Sequence, residues 1–145
     1  MSRDHPSAVQ ERFPAADPAL PAGTRPLLAE IAQLLQRLLS EGAPGAIDLG
    51  SLPLGPVDRL GLREALGEGE VDVRLDLAGG SRVRETALAG VWWVEHRDAD
   101  GELLTQLIEV ARVPEIVSAQ PADMEQALAR LRALAADADV EENIP

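Results

Sequence analysis

Two side chains that could work together chemically, Glu95 and His96, stand next to each other in the sequence. A histidine beside a carboxylate can act as a general base or hold a metal ion weakly. Neighbouring residues of a β-strand, however, point to opposite faces of the sheet. Glu109 is a further carboxylate, for which a solvated face or an arginine pair is the simpler interpretation. We therefore predict no catalytic residue and no metal ligand. An enzyme centred on His96 with Glu95 or Glu109, with or without a bound metal, stays open as an alternative.

The composition removes several other kinds of chemistry. The chain has no cysteine, and all 13 of its basic residues are arginine. Thiol nucleophiles, thiolate metal sites and lysine Schiff bases are thereby excluded for this chain itself. The glycines at positions 67, 69, 79 and 80 lack the spacing of a phosphate-binding loop. We expect no cofactor.

The charge and the first residues bear on partners and location. The net charge of −12 argues against nucleic acid and anionic membranes, because both are bound mainly by basic side chains. The first residues carry charge and proline where a signal peptide would need an apolar core, and no apolar run approaches membrane-spanning length. We therefore expect a cytoplasmic protein that binds neither nucleic acid nor membranes.

The elements that must position these residues form a β-rich middle flanked by helices. Asp100-Gly101 between two β-rich runs predicts a hairpin, and Gly79-Gly80 predicts a second turn. A bend or bulge is expected at Ala89-Gly90, because an unbroken strand through it would be too long for so small a domain. We predict a meander of strands near residues 70–77, 82–88, 91–97 and 102–112, with residues 46–49 as a candidate short edge strand. Helices are predicted near 26–41, 57–66 and 121–136. This order predicts an α+β fold, in which about three α-helices pack mostly on one face of an antiparallel meander of about four strands.

The domain organisation follows from the same reading. Residues 1–25 are proline-rich without apolar periodicity and are predicted to form a flexible N-terminal arm. Residues 26–136 are predicted to form a single α+β domain, in which Val57, Leu60, Met124, Leu128 and Leu131 face the core. Residues 137–145 are predicted to form a short, frayed acidic tail.

The adjacent tryptophans Trp92 and Trp93 are the most informative pair for function. On a strand, one of them can join the helix-covered core while the other faces the opposite side. That opposite side is expected to be partly bare, and a tryptophan there would be a natural binding anchor. Coverage of that tryptophan within the chain or by a second subunit is the alternative.

Several segments together resemble the HupH/HyaF family of hydrogenase expression proteins. They lie in the family's order and cover roughly residues 46–135. The segments are Ile47 to Asp58, Leu66 to Val71, Glu85-Thr86 with Gly90 to Val94, Ile108 to Val110 with Val113-Pro114, and the final helix with Pro121, Met124 and Arg130 to Arg132.

The resemblance implies an accessory protein for maturation of an uptake [NiFe] hydrogenase. Such a protein would act as a chaperone that holds a subunit precursor, with the iron–sulfur small subunit favoured, before assembly and export. Other maturation proteins are further implied partners, and a homodimer or a structural subunit of a larger complex stays open. The resemblance carries no catalytic residues.

The resemblance also bears on the tryptophans. The family's pattern has a variable residue at the position of Trp93, which implies Trp92 for the core and Trp93 for the surface. With Val91 and Glu95, which share its side of the strand, Trp93 is the predicted protein-binding site. Longer family members contain a second related half, whereas this chain shows one copy.

Overall fold

The structure is a computed structural model that describes residues 20–76 and 79–142, with side chains as far as residue 137. Most of the predicted arm, residues 1–19, and residues 143–145 of the predicted tail lie outside the described residues. The chain divides into two compact units, Met1–Pro114 and Glu115–Pro145. The single α+β domain over residues 26–136 stays a prediction.

The described residues of the first unit form two helices and one antiparallel sheet, and the second unit adds a helix, which confirms the predicted α+β class. The sheet has five strands in the order β1-β5-β4-β3-β2, one more than the predicted four. The elements are α1 (Thr24–Glu41), β1 (Gly45–Asp48), a 3-10 turn (Leu49–Ser51), α2 (Pro56–Leu66), β2 (Asp72–Leu75), β3 (Ser81–Glu85), β4 (Val91–Arg97) and β5 (Leu103–Val110).

Both helices of this unit cover the same face of the sheet. The leucine spacing of α1 buries Leu27 and Ile31, because these positions recur on one side of a 3.6-residue helix. The core on this face consists of Leu27, Ile31, Ile47, Leu49, Leu62, Leu66, Val91, Trp93, Ile108 and Val110. The prediction of helices on one face is thus met by α1 and α2.

The buried side of α2 differs from the prediction. Val57 and Leu60 were expected in the core, yet they are 70% and 61% exposed, whereas Gly61 and Leu62 are buried. The buried side packs closely at Gly61, where an added Cβ would come within 2.6 Å of the Pro21 side chain. Only a glycine permits this approach, so the inward side of α2 is one that hydrophobicity alone does not select.

Strand β4 is buried on both faces, which contradicts the expected bare side. Trp93 is 4% exposed beneath the helices, and Trp92 is 7% exposed on the opposite face, where Val83 and Val94 are also buried. The Trp92 indole Nε1–H donates to the Ala111 carbonyl at 3.0 Å, which satisfies its polar atom within the chain. The prediction that Trp93 lies at the surface is therefore wrong.

The junction of β3 and β4 is a complete reversal rather than the expected bend. Thr86 is buried, and its hydroxyl donates to the Val91 carbonyl at 2.9 Å and accepts from the Leu88 N–H at 3.1 Å. Gly90 supplies a left-handed φ of 86° in the same turn. The predicted hairpin between β4 and β5 is present, and Gly101 adopts a φ of 84° there.

The second unit consists of a 3-10 turn at Glu115–Val117 and helix α3 (Pro121–Glu142). The helix continues past the predicted end at 136, so the acidic residues 137–142 are helical rather than frayed. Met124, Leu128 and Leu131 were predicted to be buried, but their exposed fractions are 57%, 48% and 63%. Amphipathic spacing shows which side of a helix is apolar and leaves open what covers it.

Because both tryptophans are buried, Trp92→Ala and Trp93→Ala are each expected to lower the free energy of unfolding by about 3–5 kcal/mol, as aromatic truncations in cores do. Urea denaturation at pH 7 measures both losses. Leu39→Ala is the control, because Leu39 is 78% exposed. A Trp93→Ala variant as stable as this control would contradict the burial of Trp93.

Thr86→Val keeps the shape of the side chain while removing the hydroxyl that organises the β3–β4 turn. The Leu88 N–H loses its acceptor. We expect a loss of about 1–3 kcal/mol in the free energy of unfolding, measured by thermal or urea denaturation. Thr105→Val, the same change on half-buried β5, should be nearly neutral, and equal losses in the two variants would contradict this role for the hydroxyl.

Candidate functional site

The helix-covered face of the sheet changes from apolar to charged at β3. Antiparallel partners share a face, and one row across the strands runs Ile47, Ile108, Trp93, Arg84 and Asp72. The neighbouring row carries Gln106, Glu95, Arg82 and Arg74 on the same face. Charged side chains thus continue the layer that the core forms on β4 and β5.

Trp93 stands at the boundary between the two halves. Its indole Nε1–H donates to the Glu95 carboxylate at 3.3 Å. The guanidinium carbon of Arg63, from α2, lies 5.2 Å from the centre of the Trp93 ring, within the range of a cation–π contact. The Trp93 ring therefore packs in the hydrophobic core and also contacts the charged guanidinium group of Arg63.

Glu95 is the most highly connected carboxylate of this cluster. Its side chain is 12% exposed and accepts from Gln106 Nε2 at 2.8 Å as well as from Trp93. Arg84 and Arg97 approach its other oxygen at 3.6 and 3.9 Å. Burial raises the pKa of Glu95, but these hydrogen bonds and positive charges together outweigh burial, so the pKa lies below its ordinary value. Glu95 is ionised at neutral pH.

Arg84 is the least satisfied group of the cluster. Its side chain is 18% exposed, and its Nε–H is buried without a hydrogen-bond partner among the described residues. Burial, followed by the positive charges of Arg63 and Arg82, lowers the pKa of Arg84. An arginine nevertheless stays charged in proteins, so Arg84 holds a buried positive charge with an open donor.

A cavity of about 110 Å³ lies over this cluster, between the end of α2 and strands β2 and β3. Three arginines line it, and Arg82 is already held by Asp72 through hydrogen bonds of 3.1 and 2.7 Å. The lining residues are Arg63, Gly67, Glu68, Gly69, Val71, Asp72, Arg82, Arg84, Glu85, Thr86 and Trp93.

Glycines 67 and 69 hold the rim of the cavity against β3. Gly69 donates its N–H to the Glu85 carbonyl at 2.9 Å, and an added Cβ there would come within 2.5 Å of the Thr86 carbonyl oxygen. Gly67 has a φ of 68°, and a Cβ on it would lie 2.9 Å from the Cβ of Ala87. The rim can approach the strand this closely because both positions are glycine.

The residues predicted as a protein-binding site lie here, but they do not form an exposed surface. Val91 is fully buried and Trp93 almost so, because α1 and α2 cover their face of β4. Only Glu95, beside the cavity, remains partly accessible. The arginines were missed as site residues, although the alternation of charged residues on β2 and β3 places them on one face.

Glu95 and His96 point to opposite faces, as the strand geometry predicts. His96 Nδ1 lies 2.7 Å from the Ser81 hydroxyl on the far face, where Glu109 also lies, in register with Trp92. Among residues 20–76 and 79–142, no group of three or more histidine, cysteine, aspartate or glutamate side chains could hold a metal ion. In the same stretch, no helix is both long and apolar enough to cross a membrane.

Fold and site together define a small α+β domain with a charged cavity beside its core. Residues 22–137 match the family model described as HupH hydrogenase expression protein, C-terminal conserved region. The chain belongs to this family, which confirms the resemblance found in the sequence.

Individual relatives agree with the family match. The chain is 32% identical over 109 residues to hydrogenase expression/formation protein HoxQ of Azotobacter vinelandii, an alignment that covers 74% of this chain and 38% of HoxQ. It is 36% identical over 96 residues to hydrogenase expression/formation protein HupH of Rhizobium leguminosarum bv. viciae, covering 65% and 33% of the two chains. The chain thus spans less than half the length of these curated relatives.

A solved structure shows the same fold. Hydrogenase expression protein HupH from Thiobacillus denitrificans ATCC 25259 is 49% identical to this chain, with a TM-score of 0.75. The match covers 79% of this chain and 96% of that chain.

Glu95→Gln should destabilise the protein in a pH-dependent way. At pH 7 the variant leaves Arg84 without its carboxylate, and we expect a loss of about 1–3 kcal/mol in the free energy of unfolding. Because folding lowers the pKa of Glu95, its contribution is present above the unfolded-state pKa of about 4.3 and is lost as the pH falls through the folded-state pKa. Urea denaturation at pH 7 and pH 3.5 should therefore show a smaller difference at the lower pH.

The control for this experiment is Glu102→Gln, which removes an exposed carboxylate directly before strand β5. This variant should stay within about 0.5 kcal/mol of the original chain at both pH values. A Glu95→Gln loss that is the same at pH 7 and pH 3.5 would show that the carboxylate charge does not stabilise the cluster.

Proposed function

We propose that this protein is an accessory protein for maturation of an uptake [NiFe] hydrogenase, and that it acts as a chaperone without catalysis of its own. Its client is a hydrogenase subunit precursor, with the iron–sulfur small subunit favoured, bound in the cytoplasm before assembly. Membership in the HupH family and relatives described as hydrogenase expression/formation proteins support this proposal.

The observation that carries the binding role is the exposed apolar stripe of α3. Met124, Leu128, Leu131 and Leu134 recur at intervals of four, three and three residues, which places them on one side of the helix. Each of them is 48–63% exposed. An amphipathic helix with large exposed side chains at this spacing can lie in an apolar groove of another polypeptide.

The stripe belongs to the part of the chain that the family model matches, because that match extends to residue 137. A row of apolar side chains that is exposed on one face of a helix is an aggregation hazard unless a partner covers it. A precursor that has not yet met its partner subunit has apolar surface of its own to cover. Mutual coverage is therefore the physical basis of the proposed chaperone activity.

Leu131→Glu tests the proposal by placing a charge in the middle of the stripe. The tagged chain is produced together with the small-subunit precursor of a [NiFe] hydrogenase and recovered by its tag, and the bound precursor is quantified. We expect recovery with the original chain and at least a tenfold loss with Leu131→Glu, because burying the new carboxylate in an apolar interface is costly.

Ala133→Glu is the matched control, because the same side chain is introduced two positions away, on the opposite side of α3. Circular dichroism of both variants verifies that the helix is retained. Recovery of the precursor no greater than with an unrelated acidic protein would overturn the proposal. Recovery of the large subunit in its place would overturn the assignment of the client.

A further inference from the structure

We propose that the cavity over β2 and β3 is a binding site for the carboxylate of an extended acidic peptide, held by the guanidinium groups of Arg63 and Arg84. This inference goes beyond the chaperone role, because it concerns a different surface from the α3 stripe. It also holds whichever protein supplies the peptide.

The donors of the site are already in place. The Nε–H of Arg84 is buried without a partner among the described residues, and Arg84 NH2 lies 3.6 Å from the nearest carboxylate oxygen. Buried donors are nearly always hydrogen-bonded in native proteins, so an exception indicates a missing partner. A carboxylate that accepted from this guanidinium in the two-pronged arginine geometry would supply that partner.

Arg63 provides the second donor on a prepared support. Its guanidinium lies over the ring of Trp93, and Trp93 is fixed by burial and by its hydrogen bond to Glu95. Stacking on an aromatic face restricts the orientation of an arginine while leaving its N–H groups free to donate at the edge. Less conformational freedom is then lost when an anion binds.

The acidic residues around the cavity leave hydrogen-bond donors of both arginines open, although Glu95 forms an ion pair with Arg84 at 3.6 Å. Asp72 is engaged by Arg82 in two hydrogen bonds, and a Glu85 oxygen accepts from the Glu70 N–H at 3.4 Å. Glu68 approaches Arg63 only to 3.9 Å and is 80% exposed, so solvent screens the pair. The charges that line the cavity therefore balance, three arginines against three carboxylates, and an incoming carboxylate would be bound by the open donors of Arg84 and Arg63 rather than by an excess of positive charge.

The cavity is large enough for one chemical group but too small for a whole metabolite. Pockets for small-molecule ligands typically have volumes of roughly 300–1,000 Å³. This cavity, at about 110 Å³, has room for one carboxyl group on a short stem. A glutamate or aspartate side chain of a longer ligand fits that description.

The position of the cavity favours a peptide as the source of that group. Strand β2 is at the edge of the sheet, and no described strand pairs with its outer side. The cavity is lined by Asp72, the first residue of β2, and by Val71, which precedes it. A peptide added along this edge as a further strand would direct every second side chain towards the helix-covered face, where the arginines lie.

The test uses a blocked five-residue peptide, threonine-valine-glutamate-valine-threonine, its glutamine counterpart, and sodium propionate as a free carboxylate. Proton–nitrogen NMR of the full chain follows the side-chain N–H resonances of Arg84 and Trp93 at fixed salt. We expect the glutamate peptide to shift both resonances. Its affinity should be at least tenfold higher than that of the glutamine peptide or of propionate.

Two variants localise the effect. Arg63→Gln should weaken binding of the glutamate peptide at least tenfold, whereas Arg74→Gln, an exposed arginine of β2 outside the cavity lining, should change it less than twofold. Melting temperatures verify that both variants fold. Leu131→Glu should bind the peptide like the original chain, so that failure of this site and failure of the α3 surface are distinguishable.

Three results would overturn the inference. Equal binding of the glutamate and glutamine peptides would exclude recognition of the charge. Propionate that binds as tightly as the glutamate peptide would exclude the edge strand as part of the site. Unmoved Arg84 and Trp93 resonances at saturating peptide would exclude the cavity.

Discussion

The structure depends on the burial of four consecutive residues of β4, Val91 to Val94, on both faces of one strand. A strand in this position needs hydrogen-bonded neighbours along both edges, and β3 and β5 supply them. Both indole N–H groups find acceptors, at the Ala111 carbonyl and at Glu95. The positions of β3 and β5, and of the Ala111 and Glu95 acceptors, are therefore tied to the burial of β4.

The candidate site is an extension of the same layer rather than a separate structure. Trp93 belongs to the core and also supports Arg63, while its neighbour Glu95 draws together donors from three strands and lies beside the buried Arg84. Burial strengthens the electrostatic interactions of these charges and leaves them few hydrogen-bond partners. A donor without a partner is therefore energetically costly there. Stability and the proposed recognition of a carboxylate therefore rest on the same residues.

Local chemistry in the sequence predicted the α+β class, the β4–β5 hairpin at Gly101 and the separation of Glu95 from His96. Errors arose where packing between distant segments decides the outcome. On α2, Gly61 packs against Pro21 and faces inward, whereas Val57 and Leu60 are exposed. Trp93 was assigned to the surface because the family's pattern has a variable residue at its position, and strand alternation alone cannot show that both faces are covered. The arginine cavity was missed because its residues come from α2 and from strands β2, β3 and β4, whose proximity follows from strand register and helix packing rather than from local sequence.

The glycine rim described above also bears on how fast a ligand could come and go. Backbone hydrogen bonds fix Gly67 to the Arg63 carbonyl of α2 and Gly69 to the Glu85 carbonyl of β3, and Glu68 between them is a solvent-exposed side chain. Entry then requires rotation of a side chain, a motion on the picosecond-to-nanosecond scale, and no opening of a loop. A ligand held here would exchange rapidly, with its lifetime set by the strength of its contacts alone.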